Sequence, residues 1–207
     1  MLEERGLCSV VLKKLALEQR DPDLAHWRAM VESALKPTKE CTIALVGKYV
    51  ELHDAYLSVA EALEHSGIAN DARVNIKWIA AEELEHNDPN TILADVDGIL
   101  VPGGFGERGV EGMMIASRYA REHNIPYFGI CLGMQLIFDK GYEFEETDGL
   151  RLIGGKVEKI DRKDMIIPHM GWNELEINRD CPILKGLPEH PYVYFVHSYA
   201  AVCDDAN

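Results

Sequence analysis

The stretch YFGICLGMQLI, residues 127–137, places one cysteine between an apolar run and a helix-like pattern. The apolar run before it is short, which is typical of a buried parallel strand. Gly129 and Gly133 flank Cys131, so the segment has the form G-x-C-x-G, the cysteine version of a nucleophile elbow. The alternative is a small hydrophobic residue in a core. The preceding strand and the following helix favour a nucleophile on a strand-to-helix turn.

The sequence around this stretch alternates between strand and helix patterns. Strands are predicted at CTIALVG (41–47), VNIKWIA (74–80), DGILVPGG (97–104) and IPYFGI (125–130). Helices are predicted at DAYLSVAEALEHSG (54–67) and EGMMIASRYAREHN (111–124), and AEELEH (81–86) predicts a short helix or a turn. This alternation predicts an α/β fold with a doubly wound, mostly parallel sheet. Such sheets bind ligands at the carboxyl ends of their strands, where Gly103, Gly104 and Cys131 fall.

The two ends of the chain differ from this pattern. Residues 1–37 are predicted to form a helical linker segment, with Asp21-Pro22-Asp23 as a helix break and Pro37 at the boundary. Residues 40–207 are predicted to form one domain. Past residue 150 short strands and turns are expected, and YVYFVHSYAAV (192–202) predicts a single strand. Because the sequence stops soon after it, we expect an incomplete C-terminal end.

Composition narrows the class of protein. The chain has 207 residues, a formal net charge of −14 and five widely spaced cysteines. The negative charge argues against nucleic-acid binding, and no apolar stretch is long enough to span a membrane. The cysteines show neither zinc-site nor disulfide spacing, so we predict no metal site and a reducing, cytoplasmic setting.

Two backbone N–H groups are candidate oxyanion donors next to Cys131. The Leu132 N–H begins the predicted helix, whose N-terminus would also favour a thiolate at Cys131. The glycines of VPGGFGERG, residues 101–109, free the backbone to present a second N–H, from Gly104. This loop lacks the Lys-Ser/Thr ending of a phosphate-binding P-loop, so nucleotide binding is the weaker interpretation.

GICLGMQ together with the upstream PGGFG resembles the class I (triad) glutamine amidotransferases, which have a flavodoxin-like fold. The resemblance implies that Cys131 attacks the side-chain amide of L-glutamine, forms a glutamyl thioester and releases ammonia. It also implies that Gly103, Gly104 and Leu132 line the glutamine site. Residues 1–137 are similar to the linker and glutaminase domain of CTP synthases. This implies ammonia supply to a synthetase that aminates UTP, with ATP and Mg²⁺ needed only in that synthetase domain and no cofactor here.

Residues 138–207 resemble instead the glutaminase subunit of imidazole glycerol phosphate synthase, through GLRLIGGKV, PHMGWNELE and YVYFVHSY. The resemblance implies that Gln135 and Glu143 help to hold the amino acid head of glutamine. It also implies backbone contacts to that head from His197, Ser198 and Tyr199. For His197, a strand histidine satisfied by its neighbours is an equally good interpretation. Trp172 and Asn173 would line an ammonia exit or a partner interface, or simply pack.

The sequence also departs from the family pattern, because none of its eight histidines is followed two residues later by glutamate. That His-x-Glu motif carries the general base of the family, and a general base contributes typically ~10²–10⁴-fold to a rate. We therefore expect low glutaminase turnover, with no spacing that favours His169 or His197 as a substitute. The alternatives are the histidine-biosynthesis glutaminase, a catalytically incomplete scaffold or hybrid chain, and, more weakly, a cysteine-elbow chaperone or deglycase.

Overall fold

The structure is a computed structural model that describes residues 2–104, 106–143, 145–161 and 166–204. The chain divides into two compact units, one formed by residues 1–43 and 52–77 and the other by residues 44–51 and 78–207. None of the helices in the described ranges is long and apolar enough to cross a membrane. The predicted boundary between residues 37 and 40 stays a prediction.

The first unit holds three helices and the beginnings of two strands. These are α1 (Leu7–Lys14), α2 (Ala25–Leu35), α3 (Leu57–Ala69), β1 (Lys39–Gly47) and β2 (Ala72–Ala80). A 3₁₀ turn at His53–Tyr56 precedes α3. The Ser33 hydroxyl of α2 donates a hydrogen bond of 2.7 Å to the Ile68 carbonyl of α3. Gly67, predicted to end α3, lies inside its last turn, and the helix continues to Ala69.

The second unit contains the carboxyl ends of β1 and β2 and a first sheet with its helices. Its further elements are β3 (Gly98–Val101), β4 (Tyr127–Gly129), α4 (Ala81–His86), α5 (Pro89–Ile92), α6 (Val110–Glu122) and α7 (Leu132–Gln135). The strand order is β2-β1-β3-β4, and β3 runs parallel to β4. The predicted strands and helices of this α/β region are confirmed, while the short α5 was not anticipated.

The apolar core of the second unit lies between this sheet and its helices. It contains side chains from every strand of the sheet except β4 and from α4 and α6, including Val46, Ile79, Leu84, Val101 and Met113. All five are at most 2 % exposed to solvent. The core therefore supports the strand ends at which the predicted site falls.

The C-terminal part of the second unit is mostly β, with one 3₁₀ turn at Pro182–Leu184 in its described residues. It contains β5 (Phe138–Gly141), β6 (Thr147–Asp148), β7 (Ile153–Lys159), β8 (His169–Glu174), β9 (Tyr192–His197) and β10 (Tyr199–Cys203). A second sheet has the order β10-β7-β5-β6, and β8 and β9 form a separate antiparallel hairpin. The predicted turns of residues 162–165 lie outside the described residues.

The helix predicted to begin near Leu132 is present but has only four residues, because the chain turns at Leu136–Ile137 and Phe138 begins a strand that pairs with β7. One prediction about secondary structure is wrong here. The predicted strand over residues 192–202 is two strands that separate at Ser198. β9 pairs with β8 and β10 pairs with β7, so the partner strands decide the break.

Candidate active site

Three neighbouring strands of the first sheet end at the predicted site. Lys48 directly follows β1, Gly103 and Gly104 follow β3, and Cys131 follows β4. Because β1, β3 and β4 are adjacent in the sheet, these segments leave it side by side. This edge is where open α/β sheets bind their ligands.

Cys131 lies on a strained strand-to-helix turn. Its backbone angles are φ 50° and ψ −113°, although β4 ends at Gly129 and α7 begins at Leu132. A positive φ at a non-glycine residue costs of order 1–3 kcal/mol and persists only where the surroundings enforce it. The side chain is exposed. The predicted elbow is therefore present, with its cysteine accessible from solvent.

The two glycines of the elbow are required by close packing. A methyl group added to Gly133 would lie 2.1 Å from the Val101 carbonyl oxygen, and one added to Gly129 would lie 2.4 Å from the Gly133 carbonyl carbon. Real Cβ atoms do not approach backbone atoms so closely. The elbow thus presses directly on the end of β3, which explains the small residues on both sides of Cys131.

A partly buried hydroxyl group, that of Tyr127, is bonded to the elbow. Tyr127 Oη donates a hydrogen bond of 2.7 Å to the Gly133 carbonyl. Ser117 Oγ, on α6, lies 2.9 Å from Tyr127 Oη and 2.9 Å from the Met113 carbonyl. Burial raises the pKa of the Tyr127 hydroxyl, partly offset by the bond from Ser117, so the hydroxyl stays protonated and keeps its donor.

The glycine-rich loop after β3 contacts the cysteine directly. A methyl group added to Gly103 would lie 3.0 Å from Cys131 Cβ and 3.5 Å from its Sγ. The backbone of the loop therefore lies against the nucleophile, as an oxyanion loop requires. The structure brings together Gly103, Cys131 and Leu132 of the predicted residues, with Gly104 next in the chain.

The thiol itself differs from the prediction. Partial burial raises the pKa of the Cys131 thiol above its ordinary value, whereas the predicted helix dipole would have lowered it. The helix after Cys131 has only four residues, so few aligned peptide dipoles are available to oppose the loss of water. The resting cysteine is therefore a thiol rather than a thiolate.

His169 and His197 form a pair in the β8–β9 hairpin. His169 Nδ1 lies 3.1 Å from His197 Nε2, and His169 Nε2 lies 3.0 Å from Asn173 Oδ1. His197 Nδ1 donates a hydrogen bond of 3.0 Å to the Tyr199 carbonyl. All four ring nitrogens thus have partners other than Cys131. For His197 this is the arrangement of a strand histidine satisfied by its neighbours.

The other residues expected to bind glutamine lie at different places in the second unit. Gln135 ends α7, and its backbone N–H bonds the Cys131 carbonyl at 2.9 Å. Glu143 follows β5, and its carbonyl accepts from the Glu145 N–H at 2.9 Å. Ser198 separates β9 from β10, and its carbonyl accepts from the Ile160 N–H at 3.0 Å. In the described residues no contact joins Glu143 or 197–199 to Cys131, so their role in binding stays a prediction.

Sequence reasoning missed Lys48. Its side chain is only 4 % exposed, and its ammonium group donates a hydrogen bond to the Gly106 carbonyl. Burial lowers the pKa of Lys48, with a smaller contribution from the Arg108 cation and an opposing one from Glu82. A charged residue immediately after a buried strand, in IALVGKYV (43–50), was the available signal.

The described residues offer no obvious place for a metal ion, since they contain no group of three or more His, Cys, Asp or Glu side chains arranged to hold one. The chemistry available at the elbow is that of a thiol, backbone N–H groups and a glycine loop. Those are the parts of a nucleophilic acyl-transfer site.

Comparisons with known proteins agree with this arrangement. The family described as "Glutamine amidotransferase class-I" matches residues 51–206. The CTP synthase of Ruminiclostridium cellulolyticum is 58% identical over 136 residues, which are 66% of this chain and 26% of that protein. The CTP synthase of Clostridium acetobutylicum is 57% identical over 135 residues, 65% of this chain and 25% of that protein. The chain thus spans about a quarter of the length of these curated relatives.

A solved structure is also similar. It is described as the glutaminase domain of Trypanosoma brucei CTPS with bound acivicin, and it is 32% identical in sequence. The TM-score is 0.61, over 78% of this chain and 68% of that chain. The likeness agrees with the predicted flavodoxin-like glutaminase fold. From its sequence, its elbow and these matches, the chain belongs to the class I glutamine amidotransferases.

Proposed function

We propose that this chain is the glutaminase part of a CTP synthase and that Cys131 is its nucleophile. The observation that supports the proposal most directly is the contact of the Gly103 backbone with Cys131, on an elbow strained to a φ of 50°. A glycine loop beside an exposed thiol is the arrangement that amide attack needs. The high identity to CTP synthases supports this assignment over the histidine-biosynthesis alternative.

The proposed reaction is acyl transfer through a thioester. The Cys131 sulfur, after losing its proton, attacks the side-chain amide carbon of L-glutamine, and the carbonyl oxygen becomes an oxyanion. The Leu132 and Gly104 N–H groups would donate to that oxyanion. The C–N bond then breaks, the nitrogen takes up a proton, and ammonia leaves. Water attacks the thioester, which releases glutamate and restores the thiol.

The remaining predicted contacts complete the proposal. Gly103, Gly104 and Leu132 would line the side-chain amide, while Gln135, Glu143 and the backbone of residues 197–199 would hold the amino acid head. The ammonia acceptor would be a synthetase domain or subunit that aminates UTP with ATP and Mg²⁺. The glutaminase step itself would need no cofactor. A cytoplasmic setting is part of the proposal, on the argument from cysteine spacing.

The absent His-x-Glu motif determines the expected rate. The raised pKa of Cys131 leaves little thiolate at neutral pH, and the histidines of the hairpin bond to other partners. We therefore expect these 207 residues to release ammonia from glutamine roughly 10²–10⁴-fold more slowly than a site with a general base. Rapid ammonia release by the chain alone would contradict this expectation.

The experiment is covalent labelling with 6-diazo-5-oxo-L-norleucine, a glutamine analogue, followed by intact-mass measurement. We expect one adduct, lost in Cys131→Ala and retained in Cys203→Ala, which removes another exposed cysteine. An adduct shows that elbow, loop and glutamine pocket are assembled. Its absence from a chain with native-like circular dichroism would overturn the proposal and favour a scaffold role.

A further inference from the structure

Lys48 is an unusual residue for its position. Among the described residues, Lys48 is the only charged residue that is buried, and Ser117 is the only other buried polar residue. An ammonium group removed from water is costly unless it makes strong hydrogen bonds. Two contacts of Lys48, with Gly104 and with Gly106, lie on the glycine loop after β3 and offset part of the lost hydration.

The side chain of Lys48 supports this loop at two places. A methyl group added to Gly104 would lie 2.9 Å from Lys48 Cδ and 3.1 Å from Cε, so the aliphatic stem packs on Gly104. The ammonium group at its end donates to the Gly106 carbonyl. Gly106 has a φ of 77°, in the left-handed region that favours glycine. The stem and the ammonium group together restrict the path of the loop.

Arg108 fixes the loop from its other end. Its guanidinium donates a hydrogen bond of 2.8 Å to the Lys48 carbonyl and forms an ion pair of 2.8 Å with Glu82, at the start of α4. Gly104 and Gly106 thus contact the side chain of Lys48, and Arg108 bonds to its main chain. Gly103, immediately before Gly104, is the residue that contacts Cys131.

We propose that Lys48 is a positioning residue that holds Gly104 and Gly106 so that the backbone N–H of Gly104 is directed at the oxyanion formed on Cys131. The inference rests on the proposed glutaminase function. The proposed role requires neither contact with the sulfur nor proton transfer. Its effect is specific to the tetrahedral state, because a loop that moves away removes an oxyanion donor without covering the thiol.

The test uses L-glutamate γ-semialdehyde, to which a thiol adds to give a tetrahedral adduct with an oxygen at the oxyanion position. Its affinity is measured as protection of Cys131 against iodoacetamide, by peptide mass spectrometry. Loss of one oxyanion donor costs ~10²–10³-fold in catalysis, so we expect Lys48→Met to weaken the aldehyde about tenfold or more. Lys185→Met, at an exposed lysine, should leave the affinity unchanged.

The reaction of Cys131 with iodoacetamide alone distinguishes a loss of loop positioning from a general loosening of the structure around Cys131. This displacement reaction needs no oxyanion donor, so the alkylation rate of Cys131 without aldehyde should stay within about twofold in Lys48→Met. A folded Lys48→Met protein with wild-type aldehyde affinity would overturn the inference. So would equal changes in the alkylation rate and in aldehyde affinity, because these would indicate a structural role.

A second variant covers the case in which Lys48→Met does not fold. Arg108 is 63% exposed, so Arg108→Gln removes its bond to the Lys48 carbonyl without opening the core. We expect aldehyde affinity to fall about threefold or more, and unchanged affinity would overturn the inference. If the wild-type chain binds no aldehyde and gains no diazo-ketone adduct, the proposed function fails, and the inference fails with it. If the wild-type chain binds the aldehyde and both variants bind it equally well, the inference about Lys48 fails but the proposed function stands.

Discussion

Within the second unit, the first sheet and the β8–β9 hairpin differ in how far their side chains are buried. In the first sheet, Val46 and Val101 are completely buried, and the elbow glycines press on backbone atoms. In the hairpin, Trp172 is 68% exposed and Tyr194 54%, although their rings contact each other at 5.5 Å. Cross-strand contacts on a surface stabilise a strand pair only modestly.

Because of this difference, some residues of the proposed site rest on a packed core and others do not. Cys131 and the loop at Gly103 rest on a core, so their geometry follows from close packing. His197 lies in the hairpin, where the outward-facing side chains remain in solvent. A substitution of the same kind should therefore have unequal effects in the two regions, and the following measurements test that expectation.

The largest effect is expected for Gly133→Ala. The added methyl group would lie 2.1 Å from the Val101 carbonyl oxygen, so the elbow or β3 must move. We expect a loss of about 3 kcal/mol or more in the free energy of unfolding, measured in urea, together with loss of the diazo-ketone adduct. Gly141→Ala is the control, since no atom lies within 4 Å of a methyl group there. Equal stability of the two variants would contradict the packing argument.

The same substitution, valine to alanine, can be made in both regions and its cost in unfolding free energy compared. Val46→Ala in β1 empties a site with no solvent exposure and should cost about 2 kcal/mol of unfolding free energy. Val196→Ala in β9 changes a side chain that is 48% exposed and should cost less than about 1 kcal/mol. Both are measured by urea denaturation. A larger cost for Val196 would show that the hairpin face is covered in solution.

Tyr127→Phe tests the partly buried hydroxyl that bonds to the elbow. The change leaves the Gly133 carbonyl without its donor at 2.7 Å, so we expect a cost of about 1–2 kcal/mol in unfolding free energy. Tyr192→Phe is the matched control, because its hydroxyl makes only an exposed contact of 3.4 Å with Glu174. If the two variants lose equal stability, the hydroxyl of Tyr127 does not support the elbow.

The smallest effect concerns the pH dependence of alkylation at Cys131. Partial burial raises the pKa of this thiol, so the neutral form is favoured and the thiolate appears only at higher pH. The iodoacetamide rate should therefore rise with pH, with a midpoint above that of N-acetylcysteine in the same buffers. Peptide mass spectrometry distinguishes Cys131 from the other cysteines. A midpoint at or below that of the free thiol would contradict this expectation and support the prediction that the helix dipole stabilises a thiolate at Cys131.

The first sheet could be predicted from the sequence because its signals are local. Short apolar runs that end at or near glycines define β1, β3 and β4, and the alternating run VNIKWIA defines most of β2. The elbow was predictable for the same reason, since Gly129, Cys131 and Gly133 are neighbours in sequence and their packing follows from the turn.

The C-terminal strands could not be predicted equally well because distant partners determine them. LGMQLIFDK has a helix-like pattern, but Phe138 pairs with Ile153, and so tertiary pairing overrides the local preference. The strand pattern over residues 192–202 is continuous, yet β9 and β10 pair with different strands. Lys48 was missed because its acceptor, Gly106, lies 58 positions away.

The eight residues between β4 and β5, residues 130–137, form the one passage of the described chain from the first sheet to the second. Within the described residues, the chain does not return from the second sheet to the first. The resemblance to CTP synthases also ends near residue 137. An exchange made after this passage keeps Cys131 with the sheet that shapes it, so the second sheet becomes an interchangeable module that evolution or a designer can replace.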